Sequence, residues 1–520
     1  MANSSADTNA DAHFKKLDKA FLGHPKPLQG LFFVEMWERF SYYGIRPLLV
    51  LFMTTAIVSG GFGFDDTTAA AIYGIFSGMM YLVPLAGGWL ADNWLGQERS
   101  LWWGCIIMAL GHLAIGMSAL PMLGMTMFFV GLILLVLGTG LFKTCIAVMV
   151  GSLYDDKDDR RDSGFTVFYM SINLGAMVAP IATGYFVDKG QWHTGFTIGG
   201  IGMLIALLVY RFVAKKYLTK FANSKGMSVS WDKPSRRVAH VGKVVFAFLV
   251  ALCGLVVMVS TGVLTINAVA IRDAMTYLII GALFAFFGWA FLSSRFVKAE
   301  KMRLLVCFFL IVGASLFWSS FEQQPASFNL FAERYTDRSL GGFNIPTVWF
   351  QSLNPIFILL FAPLVSMLWI KLGKRHKNPN SMTKFALGML LASVAFAIMI
   401  MASKMIVAGS ASVSMMWLVS SLLFLTIAEL CISPVGMSSM TKLAPQGMQG
   451  VMMGLWYTSI SLGGLIGSIS GGYVSAETIG DLPKLFTALT VFLVVCGVLL
   501  LVLAKPITNM LSQTDKDATV

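Results

Sequence analysis

Charge is scarce in this chain. Asp, Glu, Lys and Arg make up 12% of the 520 residues, against roughly 25% in a soluble domain. With 57% hydrophobic residues and a mean hydropathy of +0.74, so few charges cannot keep the apolar surface in water, which excludes a soluble globular protein. Cysteine is scarce as well. Cys105, Cys145, Cys253, Cys307, Cys431 and Cys496 all lie in apolar stretches, none at C-x-x-C or zinc spacing. A disulfide framework or a thiolate metal site is therefore not indicated, and each cysteine reads as a small buried hydrophobe. Six histidines (His13, His24, His112, His193, His240 and His376) fall mostly in loops or tails, none paired at ligand spacing. That removes the signature of a metal-dependent membrane enzyme. No Gly-x-x-x-x-Gly-Lys-Ser/Thr loop is present, nor a soluble stretch able to house one, so a self-contained ATP-driven pump is excluded. Residues 1–30 are polar and lack the apolar core of a signal peptide. Insertion is expected to use the first membrane helix, with the N-terminus left inside.

Long apolar runs take the place of charge. A spanning helix needs about 20 mostly apolar residues. Such runs occur at 31–56, 69–91, 100–119, 123–148, 164–186, 195–213, 241–262, 274–295, 303–324, 346–370, 384–403, 413–436, 450–473 and 484–504, giving fourteen candidate transmembrane helices. The pair 241–262 and 274–295 lacks interior charge and follows a polar, basic stretch, whereas the six helices on either side contain buried charge. The expected plan is all-α: a segment 1–30, a six-helix bundle 31–213, a basic linker with two accessory helices 214–302, a second six-helix bundle 303–506 and a tail 507–520. Two similar bundles around a midplane site are a common transporter plan.

The net charge of +12 does not point to nucleic acid, because the cations sit between the apolar runs: Lys15, Lys16 and Lys19; Lys215, Lys216, Lys233, Arg236 and Arg237; Lys371, Lys374, Arg375 and Lys377. That distribution writes membrane topology and faces anionic headgroups. Asp65, Asp66, Glu333, Asp337, Glu477 and Asp481 mark the opposite loops. Both termini are then expected to be cytoplasmic.

Seven ionisable residues lie inside or near the ends of apolar spans: Glu35, Glu38, Arg39, Arg46, Lys143, Glu322 and Glu429. Each costs about 2.5–3.5 kcal/mol at a helix centre on insertion scales, so each must pair, meet water or work. At 100° per residue, Glu35, Glu38, Arg39, Tyr42 and Arg46 fall on one stripe of the first helix. Lipid cannot solvate that stripe, so it is expected to face a cavity. Glu35 with Arg39 can be a self-satisfying i,i+4 pair, but this leaves Glu38 and Arg46 unexplained. Two carboxylates beside an arginine can also form a proton site, since protonating one frees the arginine to re-pair. Lys143 is either a buried partner for an anion or a snorkelling lysine at a helix end. Cations dominate the first half and anions the second, which suits a zwitterion with a carboxylate at one end and an amine at the other.

These residues resemble a known family. Glu35-x-x-Glu38-Arg39-Phe-x-Tyr-Tyr-Gly44 is similar to the first-helix signature of the proton-dependent oligopeptide transporters, prokaryotic type, a branch of the major facilitator superfamily. Phe168-Tyr169-x-x-Ile172-Asn173-x-Gly175 resembles the second family signature, and Gly87-Gly88 through Asp92 to Gly96 the superfamily's loop between helices two and three. Phe350-Gln351-x-x-Asn354-Pro355 and Glu429 through Pro434 resemble further segments, so the likeness runs from about 30 to 505. It implies a major facilitator fold and a symporter that imports di- and tripeptides across the cell inner membrane by alternating access. A proton gradient is the energy source; no cofactor, metal or nucleic acid takes part. The lipid bilayer surrounds the chain, and a monomer suffices for transport. The implied proton-coupling residues are Glu35, Glu38, Arg39 and Lys143. Arg46 and Lys143 would hold the peptide carboxylate and Glu429 the amine, with Asn173 and Asn354 bonding the peptide ends and amide. Tyr42, Tyr43 and Tyr81 would line the site, Trp318 and Trp456 would shape side-chain subsites, and Arg46 with Glu322 would close the outer gate. Any single Tyr or Trp here can equally be a packing or interface residue, and Gly74, Gly78, Gly87 and Gly88 read as close-packing positions.

The chain departs from the family where Thr144-Cys145 stand in place of Pro-Asn, and where the second helix lacks a histidine; His112 in the third helix reads as a packed or pore-edge residue. The alternatives are another major-facilitator solute (amino acid, nitrate, sugar or drug), a membrane enzyme, or a channel or receptor. Neutral sugars give no need for opposed charges, and an amine-binding carboxylate is wasted on nitrate.

Overall fold

The computed structural model describes residues 17–120, 124–155, 158, 160–224, 238, 240–445, 448–469 and 479–517. Lys15, Lys16, Lys233, Arg236, Arg237, Glu477 and His13, singled out above, lie outside them. The described chain is nearly all helical. Its first part contains α1 (Lys26–Thr54), α2 (Asp66–Leu90), α3 (Gln97–Met117), α4 (Gly124–Gly151), α5 (Arg160–Val187), α6 (Trp192–Val209), α7 (Lys215–Ser224) and α8 (Val241–Ser260). There follow α9 (Ala268–Leu292), α10 (Lys298–Phe321), α11 (Asn329–Tyr335), α12 (Leu353–Lys374), α13 (Ser381–Val407), α14 (Met416–Leu443), α15 (Gln449–Gly467) and α16 (Leu482–Asp517). Thirteen spans among the described residues are long and apolar enough to cross a membrane; α1 is the fourteenth long helix and misses that test because of its own charges. Two pairs of two-residue strands interrupt the helices: Thr336–Asp337 lies parallel to Val413–Ser414, and Ser339–Leu340 antiparallel to Phe343–Asn344.

Local chemistry sets the helix ends. Asn267 Oδ1 accepts from Ala270 N at 3.1 Å to start α9, and Asn380 Oδ1 accepts from Thr383 N at 2.8 Å to start α13. A π turn, Tyr210–Ala214, carries α6 into α7, and another, Gln324–Phe328, carries α10 into α11. The ninth membrane segment is thus longer than its apolar run. Helix α9 starts before the run at 274, so the pair Arg272–Asp273 (2.7 Å) lies inside an accessory helix, with Arg272 buried.

The helices gather into two compact units, Met1–Leu48 with Leu82–Ile266, and Leu49–Tyr81 with Asn267–Val520; the cuts fall within α1 and α2. In the first unit, glycines let helices approach closely. A Cβ on Gly104 of α3 would lie 2.8 Å from the Gly138 carbonyl oxygen of α4, and one on Gly111 would lie 3.0 Å from that of Gly131. Cβ atoms on Gly87 and Gly88 would meet Gly140 and Thr144 of α4, so both are packing positions. Before α1, Arg160 binds Asp18 Oδ2 at 2.9 Å and Asp158 Oδ2 at 2.8 Å, and His24 sits between Tyr154 (3.0 Å) and Ser163 (3.2 Å).

In the second unit, a Cβ on Gly388 of α13 would reach 3.0 Å from the Ala428 carbonyl of α14, and one on Gly497 of α16 would press on Leu390. Gly74 and Gly78 of α2 face Ser468, and Leu465 with Ser461, in the same way.

The expectation that all six cysteines are buried needs correction. Cys253 is exposed and Cys496 half-buried. The most apolar stretch of α8 is only 6% buried, so an apolar run there records lipid contact and not a protein core.

Candidate functional site

The first-helix stripe folds as a buried charge cluster in the first unit. Arg39 Nε donates to Glu38 Oε2 at 2.5 Å and pairs electrostatically with Glu35 Oε1 at 3.2 Å, so one guanidinium faces two carboxylates. Glu35, Glu38, Arg39 and Arg46 are all buried. Glu35 Oε2 and Arg39 Nη2 have no hydrogen-bond partner among the described residues. Tyr42 stands between the two arginines, its ring centroid 5.5 Å from the Arg39 guanidinium and 5.9 Å from that of Arg46, which also lies 5.9 Å from the Tyr43 ring. Such cation–π contacts stabilise guanidinium away from water. The i,i+4 pair therefore exists, but as part of a larger set that takes in Glu38 and the tyrosines.

Lys143 of α4 lies close enough to act electrostatically on Glu35, Glu38, Arg39 and Arg46. It stands one turn after Gly140, where α4 packs on Gly87 of α2, so the glycine contact sets its depth. Lys143 is half-buried within electrostatic reach of the charge cluster. The Phe168–Gly175 signature positions the same cluster. A Cβ on Gly175 of α5 would lie 2.9 Å from Phe40 N and 3.1 Å from Arg39 Cβ, so only glycine admits α1 at this depth. Sequence reasoning placed Gly175 in a motif without a role. Asn173, two residues before it, is buried and donates to the Tyr169 carbonyl at 3.1 Å.

The second unit holds the anions. Glu322, just after α10, is buried and accepts from Tyr73 OH at 2.7 Å and Ser77 Oγ at 3.1 Å, both on α2. Those two partners were not singled out in the sequence; their only signal is an i,i+4 spacing beside Gly74 and Gly78. Gln323 Nε2 donates to Ser319 O at 3.0 Å and Gly467 O at 2.8 Å, fixing the turn that carries Glu322. Glu429 of α14 accepts from Asn354 Nδ2 at 3.0 Å, and the same amide reaches Thr426 Oγ1 at 3.0 Å. Asn354 and Glu429 are thus brought together. Trp318 is buried against Phe317 and Phe321, and its indole nitrogen has no hydrogen-bond partner among the described residues. Trp456 is 1% exposed, stacked on Gly436 and edge-on to Phe385 at 6.3 Å, while Tyr81 is half-buried. No cluster of three or more His, Cys, Asp or Glu able to hold a metal occurs among the described residues.

Among the described residues, fourteen long helices with two extra ones after the sixth, and charges buried within them, define a multi-span membrane carrier of the major-facilitator type. The chain belongs to the POT family, whose model (PTR2) matches residues 99–485. It is 48% identical over 502 residues to the peptide transporter YePEPT of Yersinia enterocolitica subsp. palearctica, covering 96% of this chain and 98% of that protein. It is 32% identical to a di-/tripeptide transporter of Lactococcus lactis subsp. cremoris, covering 96% and 99%. A crystal structure of a peptide transporter POT in complex with sulfate superposes with a TM-score of 0.83 at 33% identity, covering 94% of this chain and 96% of that one. The family is one of transporters, and the chain is not an enzyme.

Proposed function

We propose that this chain is a proton-coupled symporter that imports di- and tripeptides across the cytoplasmic, inner membrane by alternating access, with both termini on the cytoplasmic side and the proton gradient as its energy source. The observation that carries the reading is the pairing of Arg39 with both Glu35 and Glu38, with Lys143 acting on both. The names of the relatives supply the substrate class.

Charge bookkeeping gives the coupling. With every group ionised, Glu35 and Glu38 stand against Arg39, Lys143 and Arg46, two anions against three cations, which leaves one positive charge for a substrate carboxylate. A peptide carboxylate that draws on Lys143 and Arg46 weakens the cationic field holding the glutamates ionised, and one glutamate then takes up a proton. Linkage makes this reciprocal: a proton already bound favours the peptide carboxylate. Glu429, oriented by Asn354, takes the peptide amine, and Tyr42, Tyr43, Tyr81, Asn173, Trp318 and Trp456 shape the site around backbone and side chains. Glu322 and Arg46 serve the outer gate. Recognition through termini and backbone tolerates many side chains.

The test is dipeptide uptake into proteoliposomes, with and without an inward proton gradient, for wild type and Glu38→Gln. The gradient is expected to concentrate peptide in wild type, with only exchange or passive flux left in the variant. Preparations that move another solute but no peptide would overturn the substrate class and leave the carrier fold intact.

A further inference from the structure

Behind the charge cluster lies a second buried polar pair that the coupling scheme does not use. His112, in the last third of α3, is 3% exposed, and its Nε2 contacts the hydroxyl of Ser41 on α1. Its Nδ1 is buried with no hydrogen-bond partner among the described residues. The pair sits where α1, α3 and α6 converge on a glycine surface. A Cβ on Gly200 of α6 would lie 3.1 Å from His112 Cβ; one on Gly199 would lie 3.3 Å from His112 Cε1, 3.3 Å from Ser41 O and 2.9 Å from Ile45 Cγ2. Gly202, further along α6, faces Phe40 and the Trp37 carbonyl, the latter at 3.4 Å. On another side of the same turn of α1, Gly175 of α5 abuts Phe40 N and Arg39 Cβ.

This stretch of α1 is therefore held by glycine surfaces, which fix distance but permit rotation. Glycine offers no side chain to interlock, so something else must set the angle of the helix about its own axis. Ser41 follows Glu38 by three residues, which places it about 60° round the helix and one turn along. A rotation of α1 that breaks the Ser41 contact must carry Glu38 and Arg39 with it. Apolar packing alone would not call for an imidazole here. An unpaired buried nitrogen is destabilising, and a leucine of similar size would fill the space without one. No charged side chain acts on the ring among the described residues, and it meets Ser41 of α1 and the Gly199–Gly200 surface of α6. A charge-neutral hydrogen bond in such surroundings acts by direction.

We propose that His112 is a positioning residue for the proton-coupling site: through Ser41 it fixes the rotation of α1 that sets Glu35, Glu38 and Arg39 against Lys143 of α4. The inference rests on the proton-coupling reading given above. The groups whose titration it tunes are Glu35 and Glu38, which lie within electrostatic reach of Arg39 on α1, Lys143 on α4 and Cys105 on α3, Lys143 in turn lying within reach of Arg46.

The test compares two proteoliposome assays across a pH series. Gradient-driven dipeptide accumulation requires coupling; peptide counterflow requires only binding and the conformational cycle. Variants are Ser41→Ala, His112→Leu, His112→Gln (which keeps a hydrogen-bonding group), the Ser41→Ala/His112→Leu double, and Glu38→Gln as the coupling control. Ser41→Ala and His112→Leu are expected to lower driven accumulation by about fivefold or more and to move its pH midpoint, while counterflow KM stays within about twofold. The double variant should be no worse than either single one, and His112→Gln should recover most of the wild-type profile. An unchanged pH profile in Ser41→Ala and His112→Leu, or equal losses in both assays with a fixed midpoint, overturns the inference. A Glu38→Gln variant that still accumulates peptide overturns the coupling reading itself, whatever the His112 variants do.

Discussion

Arg39 donates its Nε–H to Glu38 and pairs with Glu35 only by charge, so the two carboxylates beside one guanidinium are not equivalent. A guanidinium stays charged throughout, so any change of state at this point belongs to the glutamates or to Lys143. In the proposed scheme the opposite end of the substrate depends on a simpler device. Asn354 Nδ2 orients Glu429 from 3.0 Å, and Thr426 steadies the same amide. Replacing Glu429 by Gln is expected to raise KM for dipeptides by about tenfold or more, since truncating a buried charge pair is costly. N-acetylated dipeptides should be transported equally by both forms; an equal KM for free peptides would remove Glu429 from the site. Away from the apolar spans, His24 gives a pH prediction. Burial lowers its pKa from the ordinary 6.5; Arg160 pushes the same way and Asp158 opposes. The native state then binds this proton less readily than the unfolded chain. The stability conferred by neutral His24 is complete above the ordinary imidazole value and is lost as pH falls below it. Melting temperature in detergent should fall between about pH 7 and pH 5, with a shallower slope in His24→Gln; equal slopes would contradict this.

At the scale of elements, α2 is a seam for the second unit. Asp66 in its first turn receives Arg334 of α11 through two bonds, 2.7 and 2.9 Å, and the helix N-terminus stabilises the same carboxylate. Further along, Tyr73 and Ser77 hold Glu322, with Gly74 and Gly78 allowing the approach. Removing Arg334 alone leaves Asp66 buried and unpaired. With Arg334 partly exposed, Arg334→Leu should cost about 1–3 kcal/mol of stability. Asp66→Asn combined with Arg334→Leu should cost less than the single change, as thermal unfolding in detergent would show. A double variant as unstable as the sum of its parts would mean the two residues act separately.

The sequence made some of this legible for a physical reason: a charge inside an apolar run is too costly to be incidental, so Glu35, Glu38, Arg39 and Lys143 announced themselves, as did the family motif around Gly175. Polar partners of moderate cost did not. Tyr73 and Ser77 lie about 250 residues from Glu322, and nothing local marks an α2 hydroxyl as its donor. Trp456 illustrates the converse, since the depth of an aromatic depends on whether a glycine such as Gly436 stands opposite it.

For the whole molecule, fourteen long helices were readable from run length alone, while their true ends were not, because π turns extend the sixth and ninth segments beyond their apolar runs. Hydrophobicity also could not separate lipid from core, and Cys253 on α8 shows the difference. What unites the scales is a single claim: peptide and proton are bound as linked ligands through the Glu35–Arg39–Glu38–Lys143 set. The most direct measurement is proton uptake on peptide binding, followed with a pH-sensitive dye in weakly buffered, detergent-solubilised protein. Saturating dipeptide is expected to draw protons from the medium in wild type, and Glu38→Gln should abolish that uptake while still binding peptide. Peptide binding by the wild type with no proton uptake, at any pH across the range where transport is active, would contradict the claim.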